Sequence, residues 1–297
     1  MNKNELKQLK VGPVLENVSL KEYTTYKLDG IARFLVMPED LIDLKKLIFY
    51  LTENNIPHKV IGGGSNLIFK NKVYEGVLIS LKSFDKLEVV DNQIKVGSGY
   101  NLMKLALKAS KLGLSGLEFA TGIPGTVGGA IFNNAGAYQS DMGYVVLEAT
   151  VMSPNLEIMV LKNRQMDFHY RTSFFKKHPG YIILEAKMLL KKGNKEEIMD
   201  IIADRKKRRL ASQPLEYPSA GSVFRNPNNI PAGKIIEDLG YKGKSVGDAV
   251  VSEKHANFII NKKNATGKDI ITLIEQIKKD VYETYHIDLI LEQEIVE

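Results

Sequence analysis

Apolar and polar residues along this chain follow two rhythms that exchange several times. "ARFLVMPED" is an apolar run halted by Pro38, the pattern of a strand. In "DLIDLKKLIFYLTENN" the spacing becomes helical, with Leu41, Leu44, Ile48 and Leu51 on one stripe. "PHKVIGGGSNLIF" returns to a strand that runs straight into glycines, and the three pieces make a βαβ unit of the expected length. What precedes them reads as a polar leader. From about Gly76 to Lys95, short β-rich pieces ("GVLISL", "KLEVV", "QIKVGSG") alternate with turns, and "NLMKLALKASKLGL" is helical. Between Val145 and Leu190 the chain is again β-rich, with "EATVMSP" and "GYIILEAKMLL" as the clearest strands. A basic helix carries Ile198, Ile201 and Ile202, and "SQPLEYPSAGS" marks a boundary. A helix capped near Thr266 runs through Ile270, Ile274, Ile277 and Val281. The final strand is expected over "IDLILEQEIV".

Composition narrows the class. The 297 residues suffice for one large domain or two or three smaller ones, and 44% hydrophobic with 26% charged residues is ordinary for a globular protein. Zero cysteines exclude disulfides, iron–sulfur clusters and thiol catalysis. The scattered histidines give no metal-binding spacing, so no metal is expected. No apolar run approaches the length of a membrane span and the first residues lack the core of a signal peptide, so a cytoplasmic location without a membrane partner is expected. A net charge of +6 suits an anionic small molecule as well as nucleic acid. The basic run "DRKKRR", Asp204 to Arg209, reads first as the solvated face of a helix and second as phosphate contacts. It has no interleaved aromatics, so no nucleic-acid partner is expected.

Two neutral glycine-rich stretches stand out. "GGGSNL", Gly62, Gly63, Gly64, Ser65, Asn66 and Leu67, follows a strand directly. It suits either an anion-binding nest of backbone N–H groups or a tight turn, and the residues alone leave both open. "GIPGTVGGAIFNNAGAY" comes about sixty residues later as a second loop. Its Gly122, Gly125, Gly128 and Gly129 allow close backbone approach, Pro124 stiffens the turn, and Asn133 and Asn134 offer amides. A buried crossover is the simpler reading of one such run; two in one chain point to a ligand with a pyrophosphate and a large flat ring.

"GGGSNL", "GLEFATGIPGTVGGAIFNNAGAY", "YRTSFF", "PLEYPSAGSVFRNP" and "VSEKHANFIIN" occur in this order. Together they resemble the UDP-N-acetylenolpyruvoylglucosamine reductases, the MurB flavoenzymes, over about Tyr23 to Glu294, and in length the shorter, type II branch. The resemblance implies an α+β, FAD-binding fold of the vanillyl-alcohol-oxidase/PCMH type. It implies FAD-binding subdomains over 1–75 and 76–211 and a substrate domain over 212–297, whose last strand is a candidate for returning to the first subdomain. It also implies NADPH as reductant, UDP-N-acetylglucosamine enolpyruvate as substrate, and UDP-N-acetylmuramate as product for peptidoglycan. A monomer is expected. FAD would be bound without a covalent link, since there is no Cys and neither loop holds a His.

By the resemblance, FAD would contact residues 62–67 together with Gly122, Ile123, Pro124, Gly125, Thr126, Gly128, Gly129, Asn134 and Gly136. Ser222 matches the serine that protonates substrate carbon; a poor acid by itself, it can donate once an enolate forms beside it. Arg171 matches the arginine that binds the substrate carboxylate in a bidentate way. Glu294 matches a glutamate that polarises that carboxylate or orients the serine. Alternation in the last strand sets Glu294 on the face of Ile290, with Glu292 a competitor. Arg225 and Asn226 are expected on substrate polar groups, with Lys234, Lys254 and His255 either near them or on the solvated surface. Three positions depart from the family pattern. Asp29 and Gln139 stand where glycine is usual, and Ser212 where lysine is common, which removes a basic contact to phosphate or NADPH. The rival reading is another FAD oxidoreductase of the same fold, oxidising an alcohol or aldehyde. It leaves Arg171, Ser222 and Glu294 without a joint role.

Overall fold

Most of the longer helices begin at a side chain that satisfies their own first turn. Asp40 accepts from the N–H of Asp43 at 2.9 Å to start Leu41–Glu53, and Asn101 accepts from Lys104 at 2.9 Å to start Leu102–Lys111. Thr266 and Asp269 form a reciprocal capping box ahead of Gly267–Tyr285. The computed structural model describes residues 3–297, which divide into two compact units. Among these residues no helix is long and apolar enough to cross a membrane.

The first unit takes the chain up to Glu16, then Phe34–Gly63 and Gly76–Lys207. It holds two cores. In one, Leu44, Leu47, Ile48 and Leu51 meet Phe34, Val36, Val77 and Ile79. Leu6, Val11 and Val14 join them, so the leader expected to be merely polar supplies part of a core. Three apolar residues spaced so widely have no period to read. In the sheet, Val73–Ser80 lies between the two strands of the expected βαβ unit, and His58–Ile61 pairs with it in parallel, His58 opposite Val77.

The other core of this unit lies on an antiparallel sheet. Its strands run in the order Ile158–Lys162, Val146–Met152, Ile182–Leu189, Gln93–Gly97 and Leu87–Val90. Leu102–Lys111 buries Leu102, Leu105, Ala106 and Ala109 in that core. The second glycine-rich stretch, expected as a loop, contains a helix, Val127–Asn133. Val127, Ala130 and Ile131 recur at helical spacing and are buried. Their signal is masked by Gly128 and Gly129, whose intrinsic helix propensity is about 1 kcal/mol worse than alanine's.

The second unit takes Asn17–Arg33, Gly64–Glu75 and Arg208–Glu297. The helix Gly267–Tyr285 buries Ile270, Leu273, Ile274, Ile277 and Val281, each worth about 1.5–3 kcal/mol of burial. They pack with Tyr26, Leu28, Ile68, Phe224 and the strands Ala249–Val251 and Ile259–Asn261. The last strand is shorter than expected. Only Glu294–Val296 is a strand, parallel to Leu67–Phe69 with Glu294 opposite Leu67. Before it the chain follows residues 223–225: Arg225 N–H donates to Ile290 O at 2.9 Å and Glu292 N–H to Val223 O at 2.8 Å. The alternation that set Glu294 on the face of Ile290 is therefore not carried by one continuous strand.

Candidate active site

In the first unit the two glycine-rich stretches touch. A Cβ on Gly63 would lie 2.7 Å from Gly125 Cα, and one on Gly62 would lie 2.6 Å from the Thr126 hydroxyl. Gly62 and Gly63 are nonetheless exposed, so their other side is bare main chain. Gly125 has φ +135, which only glycine adopts at little cost. Gly122 ends a short 3₁₀ turn and Ile123 N–H returns to Ala120 O at 3.1 Å. Thr126 accepts from Gly129 N–H at 3.3 Å and so starts the helix. Gly128 is backed against Ser98: its N–H donates to Ser98 O at 2.8 Å, and a Cβ there would meet Ser98 Cβ at 2.8 Å. Ser98 Oγ is itself buried with no hydrogen-bond partner among the described residues.

These features fit the FAD that the resemblance implies. Bare glycine backbone, a threonine hydroxyl and a buried serine hydroxyl with no partner among the described residues gather there, as a phosphate-binding surface requires. Asn134 and Gly136 are both buried. Asn134 adopts φ 44, and its amide donates to His169 O at 2.9 Å while its oxygen accepts from Gly143 N–H at 3.0 Å. Asn133 donates to Gly129 O at 2.9 Å.

Asn134 thereby fastens the turn that carries Arg171. His169 and Thr172 exchange both main-chain hydrogen bonds at 3.1 Å across Tyr170 and Arg171, and Arg171 takes φ 56. A bulky residue other than glycine or asparagine in the left-handed region is uncommon and tends to mark functional turns. Its guanidinium lies 5.3 Å from the centre of the Tyr170 ring.

A second two-residue turn explains one departure from the family pattern. Ala137 pairs with Ser140, and the intervening Tyr138 and Gln139 have φ 55 and 58. That is the geometry for which glycine or asparagine is favoured, and Gln139 occupies it at a steric cost. Tyr138 anchors the turn on the basic helix, donating to Arg205 O at 3.1 Å with the Arg205 guanidinium 4.7 Å above its ring. Lys206, Lys207 and Arg208 of "DRKKRR" are exposed, as a solvated helix face requires.

In the second unit, Gly64 has φ +61 and a Cβ there would fall 1.9 Å from Tyr23 O, so only glycine fits. Asn66 donates to Glu292 O at 3.2 Å and accepts from Glu294 N–H at 2.8 Å through its own carbonyl. The serine loop reaches the same segment, since Val223 O binds Glu292 N–H. Arg225, Glu292, Glu294, Asn66 and Leu67 are thus brought together along one line of main-chain hydrogen bonds, with Ser222 next to Val223 in the chain and Arg225 half-buried. Asn226 uses its carbonyl on Ala232 N–H at 3.0 Å, at the start of the helix Ala232–Asp238. Ser212 closes the basic helix by donating to Arg208 O at 2.8 Å. Lys234 is paired with Asp238 at 2.6 Å and Lys254 with Glu216 at 3.7 Å.

Sequence reasoning missed the residues that shape this loop. Asn257, 3% exposed, binds Phe224 through both ends of its amide. Gln293, 4% exposed, binds the carbonyls of residues 220–222. For Asn257 the available signal was a polar residue inside the apolar run "HANFII", which by itself gives no partner, and Gln293 between two glutamates in "LEQEIV" gave none.

A family model described as an FAD binding domain matches residues 32–162. One described as the C-terminal domain of UDP-N-acetylenolpyruvoylglucosamine reductase matches residues 213–296. The UDP-N-acetylenolpyruvoylglucosamine reductase of Anoxybacillus flavithermus is 45% identical over 295 residues, 99% of this chain and 98% of that one. That of Bacillus subtilis is 44% identical over 294 residues, 98% and 97% of the two chains. The crystal structure of the enzyme from Thermus caldophilus matches with a TM-score of 0.81 at 32% identity, covering 96% of this chain and 98% of that one. Phl p 4.0202, a glucose dehydrogenase, matches with a TM-score of 0.51 at 13% identity over 65% and 45% of the two chains, a likeness of fold alone. The α+β, FAD-binding fold expected from the motifs is the fold of this chain, and the chain belongs to the UDP-N-acetylenolpyruvoylglucosamine reductase family.

Proposed function

We propose that this chain reduces the enolpyruvyl ether of UDP-N-acetylglucosamine enolpyruvate to UDP-N-acetylmuramate, with NADPH as reductant and FAD held without a covalent bond. The observation that supports the reading is the set of main-chain hydrogen bonds that joins the loop following Ser222 to the segment bearing Glu292 and Glu294. When bound, FAD supplies a two-electron carrier that accepts hydride from NADPH and yields it to the substrate double bond.

The remaining work falls to side chains. Hydride at one carbon of the double bond leaves an electron pair at the other, delocalised into the substrate carboxylate as an enolate. Arg171 binds that carboxylate, and its attraction grows as the enolate charge develops. Ser222 Oγ delivers a proton to the carbon, and solvent returns one to the serine. Glu294 polarises the carboxylate or orients the serine, with Glu292 as the alternative. Arg225 and the amide of Asn226 take polar groups of the nucleotide sugar. The net charge of +6 favours that anion. Gly62 to Leu67, Gly122 to Thr126, Gly128, Gly129, Asn134 and Gly136 would hold FAD. This reading makes the chain a cytoplasmic monomer of peptidoglycan precursor synthesis.

The test is an absorbance spectrum followed without oxygen. The purified protein should be yellow, bleach with NADPH and recover with the enolpyruvyl substrate. Ser222→Ala should bleach normally and recover about 100-fold more slowly. A yellow protein that recovers only in air would support the oxidase reading. A colourless protein that cannot be reconstituted with FAD would end the proposal.

A further inference from the structure

Gln293 is a buried polar residue that the proposed chemistry leaves unused. Its amide nitrogen lies 3.2 Å from Ala220 O, 3.2 Å from Gly221 O and 3.3 Å from Ser222 O. Two N–H groups therefore serve three successive carbonyls, and the amide lies across the whole turn that ends in Ser222. Gly221 has φ +75, and a Cβ there would meet nothing within 4 Å, so glycine is present for its backbone angle and not for lack of room.

The other end of the amide is fixed too. Its oxygen accepts from the Tyr26 hydroxyl at 2.9 Å. Tyr26 is fully buried, which pushes its pKa up and keeps it a donor. A reversed amide would set its oxygen against three carbonyl oxygens, so the hydroxyl selects one orientation. Tyr26 is held in turn by Asn261, whose amide donates to Tyr26 O at 2.9 Å and Lys27 O at 3.2 Å.

We infer that Gln293, oriented by Tyr26, is a positioning residue for the proton donor: it fixes the main chain of residues 220–222 and so the direction in which the Ser222 hydroxyl points. This deepens the proposed function and rests on it. Proton transfer to carbon is sensitive to such aim, since a displacement of about 1 Å costs roughly 100-fold in rate.

The experiment separates the two half-reactions in the FAD-loaded full chain by anaerobic stopped flow. In Gln293→Met, reduction by NADPH should stay within about twofold of the unaltered enzyme, while reoxidation by UDP-N-acetylglucosamine enolpyruvate slows about 10–100-fold. The solvent deuterium isotope effect on reoxidation should rise, and hydrogen exchange should quicken in the peptide around residues 220–222 alone. Gln293→Glu keeps an acceptor for Tyr26 but turns carboxylate oxygens on the carbonyls, and should behave alike. Tyr26→Phe keeps both N–H donors and should give an intermediate slowing. Equal slowing of both half-reactions, or unchanged reoxidation, overturns the inference. If Gln293→Met does not fold, Tyr26→Phe decides by the same criteria. Normal reoxidation in Gln293→Met beside slow reoxidation in Ser222→Ala defeats this inference alone. Failure of the unaltered enzyme to be reoxidised by the substrate defeats the proposed function and this inference with it.

Discussion

Asn257 holds Phe224 by both of its main-chain groups, accepting from the N–H at 2.9 Å and donating to the carbonyl at 2.8 Å. Phe224 is 1% exposed, so no water replaces the amide. Asn257→Ala leaves two buried groups unpaired at about 1–3 kcal/mol each, and the expected loss is about 2–4 kcal/mol by urea unfolding. Asn257→Asp keeps the acceptor but sets a buried carboxylate oxygen against the Phe224 carbonyl, and should cost at least as much. Equal stability of Asn257→Ala and the unaltered chain would contradict the clamp.

Gly63 admits no methyl group, since its Cβ would stand 2.7 Å from Gly125 Cα. Gly63→Ala should force the loops apart, weakening FAD binding at least about tenfold, or roughly 1.4 kcal/mol, while the far-ultraviolet spectrum is retained. Titration of the apoprotein followed by flavin fluorescence measures this. Unchanged affinity would remove the touching loops from the cofactor site.

Gln139 is strained at φ 58 in a turn whose other member, Tyr138, is held by Arg205. Gln139→Gly should therefore stabilise the protein by about 1 kcal/mol, read from the urea midpoint. A loss of stability would mean that the glutamine makes contacts worth more than the strain.

His255 is expected to set part of the acid sensitivity. Burial lowers its pKa, with Lys242 acting in the same direction and Glu237 against it. Its Nδ1 accepts from Asn257 N–H at 3.2 Å, which only the neutral ring can do. The unfolded chain binds the proton more readily than the folded one. Stability is therefore complete above the ordinary value near 6.5 and falls as pH drops below it. Thermal midpoints between about pH 7.5 and 5 should fall more steeply in the unaltered protein than in His255→Gln. Parallel slopes would assign the effect elsewhere.

The elements with long, clean periods were legible from the sequence. The stripe of Ile270, Ile274, Ile277 and Val281 is the buried face of its helix, and Thr266 is its cap. Leu44, Ile48 and Leu51 likewise reach the core. What failed was short or diluted by glycine: the helix at Val127, and the leader's contribution through Leu6 and Val11. The site shows the same division. Motifs named Ser222 and the glycines, whereas Gln293, Asn257 and Tyr26 act through partners far away in sequence. Tyr26 and Gln293 stand 267 positions apart, a distance no local pattern spans.

The pairing of Glu294–Val296 with Leu67–Phe69 has a consequence for how the protein is made. The partners are separated by 227 residues. At about 5–20 residues per second, a ribosome leaves Leu67–Phe69 without that neighbour for roughly 10–45 s. Tyr26, Leu28 and Ile68 likewise wait for residues beyond Ala220 before the second unit's core can close. An apolar strand edge is exposed throughout that interval. Leu67–Phe69 therefore gains its parallel partner only once residues 294–296 have been made.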